Sequence, residues 1–215
     1  MSRLFDHPRR GGASTFAGRL AGVAFAACVT LTSPAQANFA DDAGSETVKL
    51  DGARSQVGFT VKVLWLVGVR GRFGKVDGTV YIDRFRNQIS VDARIDVDAV
   101  SMDNKRYEDW VKSSEFFDVA KHPQIEFKSE SFPQSRLRRG GELSGILTLR
   151  DVRQPVTFQL QPATCDRPAY ECPIEVAGTI RRSEFDMRSR RGTLSDKVEL
   201  QFSVYAIPPG ETKDP

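Results

Sequence analysis

Few residues of this 215-residue chain could carry out chemistry. Beyond residue 37 there is one histidine, His122, which comes directly before Pro123. A single histidine excludes a metal site built from several histidines. The residue before a proline is held extended, which suits the start of a strand. We therefore expect His122 to be structural or to lie at the edge of a cavity, rather than to serve a Ser/His/Asp triad.

Carboxylates are plentiful, but most alternate with apolar residues, as Asp92 and Asp96 do among Val91, Ala93 and Ile95. This alternation is typical of the solvated face of a strand and not of a paired acid–base site. The chain contains no glycine-rich phosphate loop and no dinucleotide-binding fingerprint. The sequence therefore predicts no catalytic residue, no metal ligand and no enzymatic activity.

Two cysteines, Cys165 and Cys172, flank a polar stretch. In an oxidising compartment such a pair most simply forms one disulfide that closes a loop, worth roughly 2–3 kcal/mol. The spacing is not C-x-x-C, and no second pair is present to complete a zinc site. We expect a structural disulfide rather than a redox or metal pair.

Residues 1–37 have the pattern of a signal peptide. An apolar run, 20–31, is too short to span a bilayer, and Ala35-Gln36-Ala37 has the small-x-small form of a cleavage site. Four arginines supply the basic region that precedes or borders this run: Arg3, Arg9, Arg10 and Arg19. We predict export to the periplasm and a mature domain of residues 38–215. A twin-arginine signal at Arg9-Arg10 and a lipoprotein box ending at Cys28 remain open.

The net charge of +3, from 31 basic and 28 acidic residues, belongs mostly to this leader. Residues 1–37 contain four bases and one acid, which leaves 27 of each in residues 38–215. A neutral domain has no overall attraction to nucleic acid, so we expect no nucleic-acid partner. We interpret the local basic clusters at 136–139 and 181–191 as solvated surface, with contact to anionic headgroups as the alternative.

Period-two alternation of apolar and polar residues dominates the rest of the chain. One wet and one dry face per strand is typical of antiparallel sheets. Asp77-Gly78 is either a hairpin turn or a bend inside one long strand. Arg139-Gly140-Gly141 is predicted as a hairpin tip, and Gln154-Pro155 as the opening of an edge strand. The predicted strands are 46–50, 57–63, 71–83, 89–97, 125–127, 143–150, 156–160, 174–182 and 198–204.

Only Asp103 to Lys112 has a helical pattern, with Tyr107, Trp110 and Val111 on one face. With no βαβ alternation, the fold is a sandwich or a closed barrel. A barrel covers every apolar face without a helical layer and leaves no exposed edge. We predict an all-β, eight-stranded antiparallel lipocalin-like barrel with one short helix. Its interior is either filled by side chains or holds one small ligand.

Several stretches occur in an order that carries a family resemblance. They are Val57-Gly58-Phe59-Thr60-Val61, Gly71-Arg72-Phe73, residues 77–83, 113–119 (SSEFFDV), 122–129 (HPQIEFKS), 145–149, Pro155-Val156, 180–185 and a last strand from Val198. Together they resemble the YceI family of lipocalin-like, polyisoprenoid-binding proteins, over about residues 46–207. The resemblance implies an extended eight-stranded barrel, a periplasmic or secreted location and no firmly attached catalytic activity.

The chain departs from the family pattern at several positions. Val63 stands where the family often has His, and the helix carries Tyr107, Glu108 and Trp110 where an Arg-Asp pair and a His are common. These changes leave the headgroup of any ligand undefined. Asp151 and Asp186 replace two common glycines, and Asp tolerates the left-handed backbone conformation that such turns use.

We therefore predict a carrier that holds a long amphiphile inside the barrel: a polyisoprenoid, an isoprenoid quinone or a fatty-acid derivative. The alternative is a fully packed interaction or stress-response module. We expect no cofactor other than such a bound isoprenoid lipid or quinone, no membrane span, and a monomer or homodimer. The predicted cavity lining is Phe59, Val61, Val63, Phe73, Val91, Ile95, Ile125 and Phe127, with Trp65, Trp110, Phe116 and Phe117 near an opening beside the helix.

Overall fold

The computed structural model describes residues 44–210. The predicted signal peptide and the predicted mature start at Asn38 lie outside these residues. The described chain is all-β, as the alternation predicts, but it has twelve strands where eight were predicted. The elements are β1 (Ser45–Lys49), β2 (Gln56–Val63), β3 (Val67–Phe73), β4 (Val76–Asp83), β5 (Gln88–Asp96), β6 (Val100–Met102), α1 (Lys105–Lys112), β7 (Gln124–Ser129), β8 (Phe132–Pro133), α2 (Arg136–Arg139), β9 (Gly141–Leu149), β10 (Val152–Leu160), β11 (Ile174–Arg181), a 3₁₀ turn (Arg182–Phe185) and β12 (Leu194–Val204).

All strand pairs are antiparallel and their order closes on itself. The sheet runs β4-β5-β7-β9-β10-β11-β12-β2-β3-β6. β6 follows β5 through residues 97–99, where the Gly74 N–H donates to the Ala99 carbonyl and the Val97 N–H donates to the Pro123 carbonyl. The ring therefore returns to β5, which gives the barrel that the predicted fold class requires.

The twelve strands reduce to eight longer ones, because several are halves of a single run. β3 and β4 are consecutive halves of one long strand. β3 pairs with β6, where Phe73 is opposite Val100, and β4 pairs with β5, where Val76 is opposite Ile95. β1 and β2 lie on the other side of the same run, paired with β4 and β3. The barrel wall thus has eight long strands, as predicted. Three of them are interrupted and are divided into β1 and β2, β3 and β4, and β5 and β6.

The structure decides two local predictions. Gly78 lies inside β4 opposite Ala93, so the hairpin alternative for Asp77-Gly78 is wrong and its place inside one long run is confirmed; the run is interrupted at residues 74–75. Pro155 lies inside β10 and not at its start. It is tolerated because β10 pairs with β11 only at Gln159 and Leu160, which leaves the proline edge without a ladder partner.

One further local prediction is wrong and one is confirmed. Arg139-Gly140-Gly141 is not a tight hairpin tip: the connection from β7 to β9 contains β8 and the short helix α2, which the sequence pattern missed. Gly140, with φ of 77°, ends α2. The predicted helix is confirmed as α1, where the Asn104 side chain caps the first turn by accepting from the Arg106 N–H at 2.9 Å.

The left-handed turn positions are confirmed. Arg150 and Asp151 have φ of 53° and 59° between the paired residues Leu149 and Val152, as a two-residue hairpin requires. Asp186 has φ of 57° and ends the 3₁₀ turn. Asp supplies this conformation at a smaller steric cost than other non-glycine residues would.

Inward-facing residues of every long strand form one continuous core that fills the barrel only in part. Phe59, Phe73 and Phe117 form one aromatic cluster. Phe127, Phe158 and Phe202 form a second, with ring centroids 5.3–5.4 Å apart. Within residues 44–210, no helix has the length and apolar character needed to cross a membrane.

Candidate functional site

The larger of two cavities in the barrel has a volume of about 640 Å³. Its walls come from the inward faces of β1, β4, β5, β7 and β9 to β12. Because these strands alternate, the side chains that reach the cavity are aliphatic or aromatic, as Val80, Val91 and Phe158 are. The deep part of this cavity offers apolar surface and no charged group.

The mouth of this larger cavity is polar. One side is the segment from Pro133 to Arg138, which includes α2, and the other is the loop from Asp166 to Tyr170. The Arg138 guanidinium donates to the Asp166 carboxylate at 2.8 Å, which joins the two sides. Both side chains are exposed, so this ion pair adds little stability but places opposite charges at the opening.

The predicted disulfide between Cys165 and Cys172 is present and closes the loop on one side of the mouth. The Ala169 N–H donates to the Cys172 carbonyl at 2.9 Å, and the Ala206 N–H donates to the Ala169 carbonyl at 2.9 Å. The loop is thereby fixed to the end of β12. The Tyr170 ring lines the mouth, and burial raises the pKa of its phenol.

The smaller cavity lies at the opposite end of the barrel, beside α1, and has a volume of about 110 Å³. Tyr107, Trp110 and Val111 of α1 contribute to its lining. Val57, Ile95 and Phe202 border both cavities, so these residues form the partition between them. The interior is therefore one apolar space divided by packed side chains.

The segment 113–119 closes the α1 end of the barrel. Phe117 packs edge-on against Phe59 and Phe73, with centroids 6.1 and 5.7 Å away. Phe116 packs edge-on against Trp110 at 4.9 Å. The Trp110 indole N–H donates to the Glu115 carboxylate at 2.9 Å, which fixes the tryptophan over this cavity.

Arg182 is a buried cation in the lining of the smaller cavity, with only 2% of its surface exposed. Its guanidinium donates to the carbonyls of Met187, Ser189, Leu194 and Ser195 at 2.7–3.2 Å. Burial lowers the pKa of Arg182, yet these four carbonyls replace its hydration. The side chain therefore holds the segment 187–195 against the barrel, a role that alternation in the sequence did not reveal.

Asp196 holds the 3₁₀ turn next to Arg182. Its carboxylate accepts from the Ser183 N–H at 2.9 Å and from the Ser183 hydroxyl at 2.8 Å. Burial alone would raise the pKa of Asp196. The hydrogen bonds from Ser183 and the positive charges of Arg182 and Arg181 outweigh it, so the pKa lies below its usual value.

Eleven of the twelve residues predicted to bind a ligand lie on a cavity wall, divided between the two ends. Ile95 borders both cavities, and Val91 and Phe127 line the larger one. The residues that line only the smaller cavity are Phe59, Val61, Val63, Phe73, Trp110, Phe116, Phe117 and Ile125. Sequence reasoning thus identified much of the smaller cavity but missed most of the larger one.

Trp65 lines neither cavity. It lies on the turn between β2 and β3 with 68% of its surface exposed. His122 also lies outside both linings, two residues before β7 begins, so it precedes a strand as expected but is not a cavity-edge residue. Its Nδ1 lies 2.8 Å from the Asp151 carboxylate, in an orientation that does not form a hydrogen bond.

The residues missed in the larger cavity follow the same alternation as those predicted. Val48, Ile82, Phe132, Leu143 and Ile174 all face inward and line it. Their periodicity could have identified them as core, but not as cavity lining, because the difference depends on how completely neighbouring side chains fill the interior. Among residues 44–210, no three His, Cys, Asp or Glu side chains converge as a metal-binding group would.

Comparison with known proteins gives one family and one fold. The YceI-like domain model matches residues 48–206. Protein YceI of Salmonella arizonae is 29% identical over 163 residues, which cover 73% of this chain and 83% of that protein.

Two solved structures share the barrel. BcnA of Burkholderia cenocepacia aligns with a TM-score of 0.61 and 23% identity, over 74% of this chain and 99% of its own. A polyisoprenoid-binding domain from Saccharophagus degradans, implicated in plant cell wall breakdown, aligns with a TM-score of 0.56 and 14% identity, over 75% and 98%. With the family model matching nearly the whole described barrel, the chain belongs to the YceI-like domain family.

Proposed function

We propose that this protein is a periplasmic carrier that holds the hydrocarbon tail of a long amphiphile inside its barrel. The observation that carries the proposal is the apolar cavity of about 640 Å³. Ligand pockets of proteins typically measure roughly 300–1,000 Å³. A fully packed interaction module, the alternative, has no use for an apolar space of this size.

The distribution of polarity supports a tail inside and a headgroup outside. Transfer of a hydrocarbon chain from water into the apolar interior gains about 0.8 kcal/mol per methylene. Polar groups occur at the mouth, where Asn87, Arg138, Arg167 and Tyr170 surround the opening. A headgroup that remains at this mouth would keep its hydration and meet these side chains.

The smaller cavity would take the end of a longer tail. Phe202 borders both cavities and packs against Phe158 at 5.3 Å. Rotation of Phe202 away from this position would join the two spaces. Under this proposal, short tails occupy the larger cavity alone and longer tails displace the partition.

The chemical class of the cargo follows from the cavity and from one relative. The Saccharophagus degradans domain that shares the fold is a polyisoprenoid-binding domain. A polyisoprenoid is therefore our first choice for this chain, with isoprenoid quinones and fatty-acid derivatives as the other tails of suitable shape. The leader pattern of residues 1–37 and the disulfide support export to an oxidising compartment, where the carrier acts as a monomer or homodimer.

The test is to express the whole chain with export, purify it from the cell envelope and extract it with organic solvent. Mass spectrometry of the extract should show a single isoprenoid or acyl species at about one molecule per protein. Protein emptied by extraction should take up an added polyprenol, quinone or fatty acid. A clean extract with no uptake of any of the three would overturn the carrier and favour the packed module.

A further inference from the structure

The hairpin between β2 and β3 exposes four apolar residues in a row, 64–67, here called the β2–β3 tip. Trp65 is 68% exposed and Leu66 is 87% exposed. Leu64 and Trp65 have φ of 50° and 65°, in the left-handed region where Gly or Asn is usual. Neither burial in the barrel nor the geometry of the turn accounts for large apolar side chains at these positions.

Exposed cations surround this tip. Lys62 precedes it in β2, Arg70 follows it in β3, and both face outward because their neighbours Val61, Val63 and Val69 face the cavity. None of Lys62, Arg70 or Arg191 forms an ion pair with any residue in the described range 44–210.

The segment that carries Arg191 lies against the tip. The Leu64 N–H donates to the Thr193 carbonyl at 2.7 Å. Two more arginines of this segment are partly neutralised: Arg188 lies 3.5 Å from the Asp186 carboxylate and Arg190 lies 3.5 Å from the Glu115 carboxylate. Apolar side chains and unpaired positive charge are thus presented together on one end of the barrel.

The tip borders the smaller cavity. Val63, the residue before the tip, lines that cavity together with Tyr107 and Trp110 of α1. The Arg190 guanidinium lies 5.0 Å from the centroid of the Trp110 ring. A surface that contacts the β2–β3 tip therefore lies next to the α1 end of the barrel.

We propose that the β2–β3 tip docks this protein on a lipid bilayer that contains anionic headgroups. Trp65, Leu64 and Leu66 enter the interfacial region, where indole and aliphatic side chains are favoured. Lys62, Arg70 and Arg191 contact phosphate groups, which supply the charge that these cations lack within the protein. Docking places the α1 end of the barrel against the membrane and leaves the mouth of the larger cavity, at the opposite end, in water.

A second exposed aromatic residue provides the contrast that favours this tip. Phe85 is 81% exposed on the turn between β4 and β5, at the other end of the long strand. Its neighbours Arg84 and Arg86 form ion pairs with Glu46 and Asp83. Because these cations are already neutralised, charge complementarity to an anionic membrane is present at the β2–β3 tip and weak at Phe85.

The test is co-sedimentation with vesicles of phosphatidylcholine alone and of phosphatidylcholine containing about one third phosphatidylglycerol. The protein is expressed from the whole sequence, and intact mass spectrometry ensures that all variants carry the same N-terminus.

We expect binding to the anionic vesicles that weakens as salt is raised. The double variant Trp65→Ser, Leu66→Ser should bind roughly tenfold or more weakly. Each of Lys62→Gln, Arg70→Gln and Arg191→Gln should weaken binding about fivefold.

The matched control is Phe85→Ser, which also removes one exposed aromatic from a hairpin turn. It should bind the anionic vesicles as the unchanged protein does. The proposal is overturned if the unchanged protein ignores both vesicles, or if Phe85→Ser weakens binding as much as the tip variant. Binding that is equal on neutral vesicles and insensitive to salt overturns it too. If vesicles are ignored and the tip variant converts a dimer to a monomer in ultracentrifugation, the tip is instead a self-association surface.

The inference does not depend on the proposed cargo, since the vesicle test uses protein emptied by solvent extraction. A carrier without membrane docking would show tail uptake from solution and no vesicle binding. Docking without a cargo would show vesicle binding and a clean extract.

Discussion

At the scale of single residues, Arg182 is the clearest case of a polar group that the fold requires. A guanidinium has five N–H donors in one plane, and here four backbone carbonyls surround it at 2.7–3.2 Å. Lysine cannot present donors in this arrangement, and an apolar side chain leaves the carbonyls without partners. The segment 187–195 therefore depends on this residue for its position.

We expect Arg182→Met to lower the free energy of unfolding by about 3 kcal/mol, because several buried carbonyls lose their donor together. The neighbouring Arg181 is exposed and donates to no carbonyl in the range that the structure describes. Arg181→Met should therefore change the free energy of unfolding by at most about 0.5 kcal/mol. Urea denaturation of the two variants and of the unchanged protein measures these free energies. Equal effects of the two substitutions would show that the carbonyl contacts contribute nothing.

Asp196 makes a pH-dependent contribution to stability whose sign follows from its lowered pKa. In the unfolded chain the pKa of an aspartate is about 3.9. Because the folded pKa is lower, the contribution is fully present above the unfolded pKa and is lost as the pH falls through the folded pKa. Asp196→Asn should thus cost about 1 kcal/mol at pH 7, since the carboxylate is partly exposed.

The measurement is urea denaturation of Asp196→Asn and the unchanged protein at a neutral pH and at two acidic pH values. The difference between them should be constant above the unfolded pKa and shrink below it. A difference that stays the same down to the lowest pH would mean that the charge of Asp196 plays no part and that only its shape matters.

At the scale of elements, the barrel wall depends on places where a ring of one strand lies over a glycine of the next. Phe158 of β10 lies over Gly178 of β11, and a methyl group at Gly178 would collide with the ring. This contact occurs near the place where β10 and β11 keep only the pairs at Gln159 and Leu160. Packing of the ring holds the two strands together where the hydrogen-bond ladder is short.

Gly178→Ala should therefore destabilise the protein by about 2 kcal/mol through overpacking. Gly192→Ala is the matched control, because no atom lies within 4 Å of the added methyl group. That substitution should have little effect on the melting temperature or raise it slightly. Thermal unfolding monitored by circular dichroism distinguishes the two, and equal melting temperatures would contradict the close contact.

The sequence predicted the elements better than their connections. Alternation in β2, β5, β7, β10 and β12 identified each strand to within a few residues, because one face of each is buried and the other is solvated. Alternation does not specify which strands pair, so the interruption at residues 74–75 and the continuation of β5 into β6 were not predicted. The short helix α2 was missed because four residues carry no helical period.

At the scale of the whole molecule, the candidate site exists because the inward-facing side chains do not completely fill the barrel. Sequence identified inward-facing residues such as Phe59 and Phe127, but an inward-facing residue either packs against others or lines a space, and alternation is the same in both cases. Only the structure separates the larger cavity from the aromatic clusters beside it. The mouth of the larger cavity combines the disulfide loop with α2. Its ion pair joins residues 28 positions apart in the chain, so the mouth has no sequence pattern of its own.

Ala93 offers a way to obstruct the larger cavity without changing the outer face of the barrel. Its methyl group lines the cavity from β5, whereas Ser90 lies on the opposite face of the same strand. Ala93→Phe should place a ring inside the cavity where a tail would lie, and Ser90→Phe adds a ring of the same size outside it. Both variants should keep the β-sheet circular dichroism spectrum of the unchanged protein.

The measurement that tests the carrier most directly is a titration of emptied protein with one long-chain isoprenoid alcohol, made in parallel on the unchanged protein, Ala93→Phe and Ser90→Phe. We predict about one ligand per unchanged protein and per Ser90→Phe protein, and binding at least tenfold weaker for Ala93→Phe because the ring takes the place of the tail. Equal binding by all three proteins, or none by any, would contradict a tail held in the barrel cavity.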